Sequence, residues 1–200
     1  MYHLLRKYIS DRFSITDESV DFICSHFEMI LVKKNQLLLD FDEVCKTYYF
    51  VNKGCLRIYT LSSEGNETTR FFAFSGKFGT ALPSFIEQNP AREYLRATEK
   101  SELLCISRAD FYKLVDTIPQ FAGVYLGILE LGFITAQKRI YGFQGFTAME
   151  KVTWLISDQP DFFRLVSNKL AASYLGMSAS TLSRIKAKLC FQYVAPDQSF

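Results

Sequence analysis

Residues 167–189 read SNKLAASYLGMSASTLSRIKAKL, and the organisation of the whole chain can be worked out from them. Ser167 is placed to cap a helix over Asn168 to Leu175, because its hydroxyl can accept from an otherwise orphaned first-turn amide. Gly176 stands where helices commonly end in a left-handed residue, a conformation that glycine adopts without steric cost. Met177 is an apolar turn residue, and Ser178 can cap a second helix from Ala179 to about Leu189. Ala172, four residues before Gly176, is small enough to let two helices cross closely. Ala171, Leu175, Met177, Leu182 and Ile185 would pack the pair together. A small residue, a turn glycine, a cap and apolar positions that agree in register make the helix-turn-helix pattern. The bland reading of the same residues is an ordinary αα corner with a solvated basic face.

The polar residues favour contact with nucleic acid. From Phe162 to Pro196 there is no Asp or Glu, while Arg164, Lys169, Arg184, Lys186 and Lys188 fall in that span. An acid-free basic segment suits phosphate contact. Ser178, Ala179, Ser180 and Thr181 occupy the first turn of the second helix, where base-reading residues sit when such a helix enters the major groove. Arg184 lies four residues after Ser180 and shares its face. Its side chain matches guanine O6 and N7 through two hydrogen bonds. Lys169, Lys186 and Lys188 are expected on phosphates, where they set affinity rather than sequence.

Upstream, a proline-free segment from Gln120 to about Gln144 carries Leu126, Leu129, Phe133, Ala136, Ile140 and Phe143 at 3-4-3-4-3 spacing. That is the seam of a helix that pairs with another helix. Val124, Ile128 and Leu131 form a second apolar stripe. A helix apolar on two sides must be covered on two sides, one by the preceding domain and one by a second copy; burial inside a single chain is the alternative. Gly142 and Gly145 then suggest a boundary or hinge. Short helices are expected over Thr147–Ile156 and Phe162–Leu165.

The first half has a different texture. Thr16, followed by Asp17 and Glu18, caps a short helix to Phe27. Then come Met29–Val32, Leu37–Leu39, Tyr48–Val51, Leu56–Leu61, Thr68–Phe74, Tyr94–Ala97 and Leu103–Ile106, separated by turn residues. Short strands at close intervals indicate an antiparallel sandwich or barrel, and Glu64-Gly65-Asn66 is a hairpin signal. Phe111, Leu114 and Val115 mark a short helix that ends near Pro119.

Composition narrows the function classes. Nearly half of the 200 residues are apolar, which implies a packed protein. The formal charge of +2 is too small to argue for or against nucleic acid. The N-terminal dozen residues include Arg6, Lys7, Asp11 and Arg12, and no run of 18 apolar residues occurs. Neither a signal peptide nor a membrane span is therefore expected, and the cytoplasm is the default location. Cys24, Cys45, Cys55, Cys105 and Cys190 are scattered without CxxC spacing, and His3 and His26 are the only histidines. No metal site, no cofactor and no catalytic residue is expected. A cupin-like enzyme would need several histidines, and no GxSxG, P-loop or HExxH occurs.

With these residues in view, the chain resembles the Crp/Fnr family over roughly residues 15 to 190. Tyr49 to Arg57 looks like the first roll hairpin, Glu102 to Ser107 like the last roll strand, and Leu170 to Ser178 with Thr181 to Arg184 like the family's helix-turn-helix. The wording is similar to the branch common in Bacteroidetes-type bacteria. The resemblance implies an α+β protein. Its parts are an antiparallel β-roll of the double-stranded β-helix or jelly-roll type over 1–118, a dimerisation helix and hinge over 119–145, and a winged helix-turn-helix over 146–200. The wing is expected to be truncated, since Phe191 to Phe200 is short for a β-hairpin.

The resemblance also implies a homodimer that binds double-stranded DNA through Lys169, Ser178, Ala179, Ser180, Thr181, Arg184, Lys186 and Lys188, with RNA polymerase as a further partner. The copies would pair through Leu126, Leu129, Phe133, Ala136 and Ile140. A small-molecule effector pocket would fall at Gly79, Thr80, Arg92, Glu93 and Tyr94. Cyclic-AMP-binding members have Gly-Glu-Leu and then Arg-Ser/Thr-Ala there. This chain has Gly79-Thr80-Ala81 and Arg92-Glu93-Tyr94, so the ribose-holding Glu is missing and Glu93 places an acid beside the phosphate position. That argues against cyclic AMP and leaves the effector unidentified. Phe71, Phe72, Phe74, Phe78 and Phe85 could fill such a pocket themselves. The alternative is a ligand-binding or interaction module with this fold that has lost DNA binding.

Overall fold

The computed structural model describes the backbone of residues 1–194 and the side chains of residues 1–189. It divides into two compact units, 1–132 and 133–200.

The first unit opens with α1 (His3–Ser10) and α2 (Asp17–Ser25). Thr16 caps α2, its hydroxyl accepting from Ser19 N at 3.3 Å. The strands follow as β1 (Glu28–Val32), β2 (Leu37–Leu39), β3 (Thr47–Lys53), β4 (Cys55–Leu61), β5 (Glu67–Phe74), β6 (Phe78–Gly79), β7 (Tyr94–Ala97) and β8 (Ser101–Ser107). They form two four-stranded antiparallel sheets, ordered β1-β8-β3-β6 and β2-β7-β4-β5. Eight strands shared in this order between two sheets make a jelly roll. Side-chain alternation turns Phe50, Leu103, Leu56, Ile58, Leu95 and Ala97 toward a common core.

Two turns fix the topology. Gly65 closes the β4–β5 hairpin at φ +79°, with Ser62 N donating to Asn66 O at 2.9 Å. Gly54, at φ +100°, lies between β3 and β4. Any side chain at Gly54 would fall on Ser101. The expected hairpin over Tyr49–Arg57 is not one, because β3 and β4 belong to different sheets and Gly54 turns the corner between them.

Between β6 and β7 lies α3 (Leu82–Glu87), and after β8 come α4 (Arg108–Thr117), capped by Ser107, and α5 (Pro119–Gly145). Aromatic rings join them: Tyr48 stacks on Phe111 at 5.0 Å and meets Phe85 edge-on at 5.1 Å. Phe78 meets Tyr8, Tyr48 and Phe50 in the same way. The first turns of α5 add Phe121 and Val124 to this core.

The second unit holds the rest of α5 with α6 (Ala148–Asp158), α7 (Phe162–Leu165), α8 (Asn168–Leu175) and α9 (Ala179–Val194). Its buried residues include Val152, Leu155, Phe162, Ala171, Ala172, Leu175, Leu182 and Ile185. Thr147 and Glu150 cap α6 reciprocally. The second helix of the pair runs past Leu189 to Val194, so Phe191 to Val194 are helical. The remainder of the expected truncated wing, residues 195–200, lies outside the described residues.

No hinge opens at Gly142, since α5 is continuous to Gly145. A Cβ on Gly142 would come within 3.2 Å of the Phe146 ring, so this glycine serves close packing. Along α5 the expected seam stands open: Leu126 is 57%, Phe133 65% and Ile140 45% exposed. Ala136 is exposed too, whereas Leu129 and Phe143 are half-buried. Of the second stripe, Val124 is buried and Ile128 packs on the roll core, but Leu131 is exposed. Among the described residues α5 is also the one helix long and apolar enough to cross a membrane, with a mean hydropathy of 1.2 over its best 18-residue window.

Candidate nucleic-acid interface and sensor region

The candidate interface comprises the start of α8 and the exposed side of α9. Ser167 caps α8 by accepting from Leu170 N at 3.4 Å. Gly176 sits at φ +66°, and Met177 N donates back to Ala172 O at 3.1 Å, which closes the helix as a left-handed cap does. Ser178 accepts from Thr181 N at 3.1 Å and shares hydrogen bonds with the Ser180 and Thr181 hydroxyls at 2.9 and 2.8 Å. The turn between the helices is therefore set by local hydrogen bonds, while Leu175, Leu182 and Ile185 fill the space beneath it.

Helical periodicity sorts the polar residues. Ala179, Ser180, Ser183, Arg184, Ala187 and Lys188 are exposed, Thr181 is half-buried, and Leu182 and Ile185 are buried. Arg184 makes no ion pair among the described residues, and Lys169 stands exposed on the first turn of α8. Lys186 is placed differently, half-buried with its ammonium 4.9 Å from the Phe163 ring. It is thus held toward α7, about 200° around the helix from Arg184.

Two residues were not singled out from the sequence. Asn168 donates through Nδ2 to Ala179 O and to Ser183 Oγ, both at 3.0 Å, tying the start of α8 to α9. The other is Ser183 itself, exposed beside Arg184. An Asn directly after a capping Ser was the available signal, but its partner lies 15 residues away.

The five residues proposed for an effector pocket fall into two groups. Gly79 pairs with Tyr49 in the sheet. Thr80 is buried and donates to Thr47 O at 2.8 Å, with Cys45 Sγ 3.1 Å away. Arg92 is exposed, its guanidinium 5.8 Å from the Phe41 ring. Tyr94 stacks on Tyr59 at 5.0 Å. Glu93 is buried and takes a two-point ion pair from Arg70, at 2.5 and 2.8 Å. The expected repulsion by a bare Glu93 is therefore corrected: Arg70, from β5, compensates its charge. A cleft of about 450 Å³ is lined by Leu38, Leu39, Glu43 to Thr47 and Tyr49, and includes none of the five. A further charged cluster joins β4, β5 and β7, where buried Arg57 bonds Glu67 at 2.5 Å and Thr69 at 2.8 Å, and Arg96 lies 4.0 Å from Glu67.

Four of the thiols lie among the described side chains. Cys24, Cys45 and Cys55 are buried and Cys105 is half-buried. Burial pushes the Cys24 thiol up to about 11 and the Cys55 thiol up to about 12, so both stay protonated and unreactive near neutral pH. No group of His, Cys, Asp and Glu among the described residues could hold a metal ion.

Residues 29–117, from β1 to the end of α4, match the cyclic nucleotide-binding domain family. No curated protein matches the chain in sequence. Among solved structures, FixK2 from Bradyrhizobium japonicum is similar at 21% identity and a TM-score of 0.73, over 87% of this chain and 89% of its own. The c-di-GMP-responsive global regulator CLP of Xanthomonas campestris gives 16% and 0.70, over 92% and 96%. A candidate transcriptional regulator of the Crp/Fnr family from Eubacterium rectale gives 16% and 0.66, over 89% and 85%. The fold of the chain is that of these proteins along nearly its whole length.

Proposed function

We propose that the chain is a homodimeric, sequence-specific DNA-binding transcription regulator of the Crp/Fnr type, without enzymatic activity and acting in the cytoplasm. The observation that carries this reading is the α8–α9 pair, a helix-turn-helix with an open, acid-free face. Arg184 and Lys188 stand exposed on that face beside Ser180 and Ser183, and the buried side of the same helix holds the fold together. α9 enters the major groove with its first turn toward the base edges. Arg184 reads a guanine, and Lys169 and Lys188 meet phosphates. The similarity to FixK2 and CLP over 87% and 92% of the chain supports the same architecture.

Two copies pair along α5. The stripe of Leu126, Phe133 and Ile140 is exposed in the single chain, and water-exposed apolar surface of this kind marks a partner. A membrane role for α5 fits less well, because Phe121 and Val124 are locked in the roll core and Lys138 pairs with Asp158 at 3.6 Å.

The roll is the sensor, and cyclic AMP is not its signal. Phe78, Phe85, Leu56, Ile58 and Leu95 fill the interior, and the carboxylate that a ribose would need is absent between Gly79 and Ala81. Titration calorimetry with cyclic AMP is expected to show no binding at low-micromolar concentration; such binding would overturn this part. A gel-shift with genomic fragments tests the whole reading. Retardation of a subset of fragments is expected, and no retardation at any salt concentration would return the chain to the class of modules that have lost DNA binding.

A further inference from the structure

We propose that Arg139, on α5, is the positioning residue that fixes the recognition pair to the pairing helix and so sets the separation of the two DNA half-sites. This rests on the homodimeric DNA-binding reading above.

Arg139 has no place in the pairing seam or in the set of DNA contacts. Its guanidinium carbon lies 4.3 Å from the ring centre of Tyr174 and 5.0 Å from that of Phe143. Nη2 donates to the Tyr174 carbonyl at 3.3 Å. Tyr174 belongs to the last turn of α8, where the carbonyls lack helical partners and carry partial negative charge. One side chain thus stacks on the ring and bonds the backbone of the same residue. A planar, delocalised cation with a rigid fork of donors suits both contacts better than a compact ammonium.

The contact is backed on both sides. Tyr174 is itself buried and stacked on Phe162 at 5.2 Å. Phe143, one turn along α5 from Arg139, lies 3.5 Å from where a Cβ on Gly176 would stand, so the same stretch of α5 runs beside the turn glycine. Lys151 of α6 covers the Phe143 ring at 4.7 Å. The tie through Asn168 and the shared Leu175–Leu182 core then make α9 follow α8.

If two copies pair through α5, the spacing between their two recognition helices depends on how firmly each α8 is held to its own α5. A dimer of this kind reads half-sites about 10 bp apart, centre to centre, and a loosened attachment widens the range of spacings accepted. The base preference within each half-site, set by α9 alone, is left unchanged.

The test uses the full chain as wild type, Arg139→Lys and Arg139→Met. Binding is measured to duplexes whose half-sites are moved apart or together one base pair at a time. The wild type is expected to disfavour a one-base-pair shift by about tenfold or more, and Arg139→Met by no more than about twofold. Arg139→Lys, which keeps the charge but loses the planar stack, is expected in between. All three should select the same half-site sequence. Should Arg139→Met not fold by circular dichroism, Phe143→Leu, which removes one of the two stacked rings, is expected to flatten the spacing profile in the same direction. A variant that binds with the wild-type spacing profile, even with a lowered melting temperature, overturns the proposal and leaves Arg139 a stabilising residue only. A wild type that binds no DNA overturns instead the reading on which the proposal rests.

Discussion

Before Gly132, one face of α5 belongs to the roll core, while Leu126 and Leu131 stay exposed. Phe121 and Val124 are buried against the roll, and Gly123 and Gly127 let Phe13 lie on the helix, where added Cβ atoms would come within 3.6 and 3.1 Å of its ring. From Phe133 onward the same helix, with the same apolar texture, leaves Phe133, Ile134, Ile140 and Tyr141 exposed. There it is held instead by cations: Arg139 on Tyr174 and Lys138 on Asp158. Apolar periodicity shows that a face must be covered. It does not show whether the cover comes from the same chain, and here two stripes of one helix give two answers.

Phe133→Glu breaks that comparison most strongly. In the exposed half a carboxylate costs the single chain nothing, but between two paired helices it is buried without a partner. The variant is expected to be monomeric by light scattering, with a circular dichroism spectrum like the wild type, and to bind a two-half-site duplex roughly a hundredfold or more weakly. A dimeric variant would show that the stripe is not the seam. Vesicle flotation of the wild type would point to a membrane instead, and none is expected.

A smaller effect sharpens the same contrast. Gly132 has nothing within 4 Å of an added Cβ, whereas Gly127 has the Phe13 ring at 3.1 Å. Alanine recovers up to about 1 kcal/mol of helix propensity at either place, but only Gly127 sets crowding against it. In the monomeric Phe133→Glu background, Gly132→Ala is expected to melt about 2–4 °C above Gly127→Ala. Equal melting temperatures would mean that Phe13 does not rest on this helix.

What the sequence made legible, and what it hid, follows the range of the interactions concerned. Thr16, Ser167, Gly176 and Ser178 act on backbone groups a few residues away, so the ends of α2, α8 and α9 could be read directly. The strands were readable because turn residues such as Gly65 interrupt β-rich runs. α1 was not foreseen, since Leu5, Tyr8 and Ile9 are apolar only along one short stripe among charged neighbours. α3 was missed as well, being six residues long with a proline in its first turn. Partners distant in sequence were hidden altogether. Glu93 reads as a bare acid until Arg70 of β5 is found beside it, and Gly54 reads as a hairpin turn until Ser101 is seen to occupy the corner. Gly142 suggested a break, yet it is the place where Phe146 packs back on an unbroken helix. For the interface, the face carrying Ser180 and Arg184 was readable from helical spacing, whereas the diversion of Lys186 to Phe163 depends on how α7 lies beside α9.

The most direct test of the account is selection of binding sites from random duplex DNA by the wild type and by Arg184→Ala. The wild type is expected to enrich a two-fold-symmetric motif. Arg184→Ala is expected to lose preference at one base pair of each half-site and about 1–3 kcal/mol of affinity per half-site. Recovery of the same motif by both proteins, or of no motif by the wild type, would contradict the central claim that α9 reads DNA through Arg184.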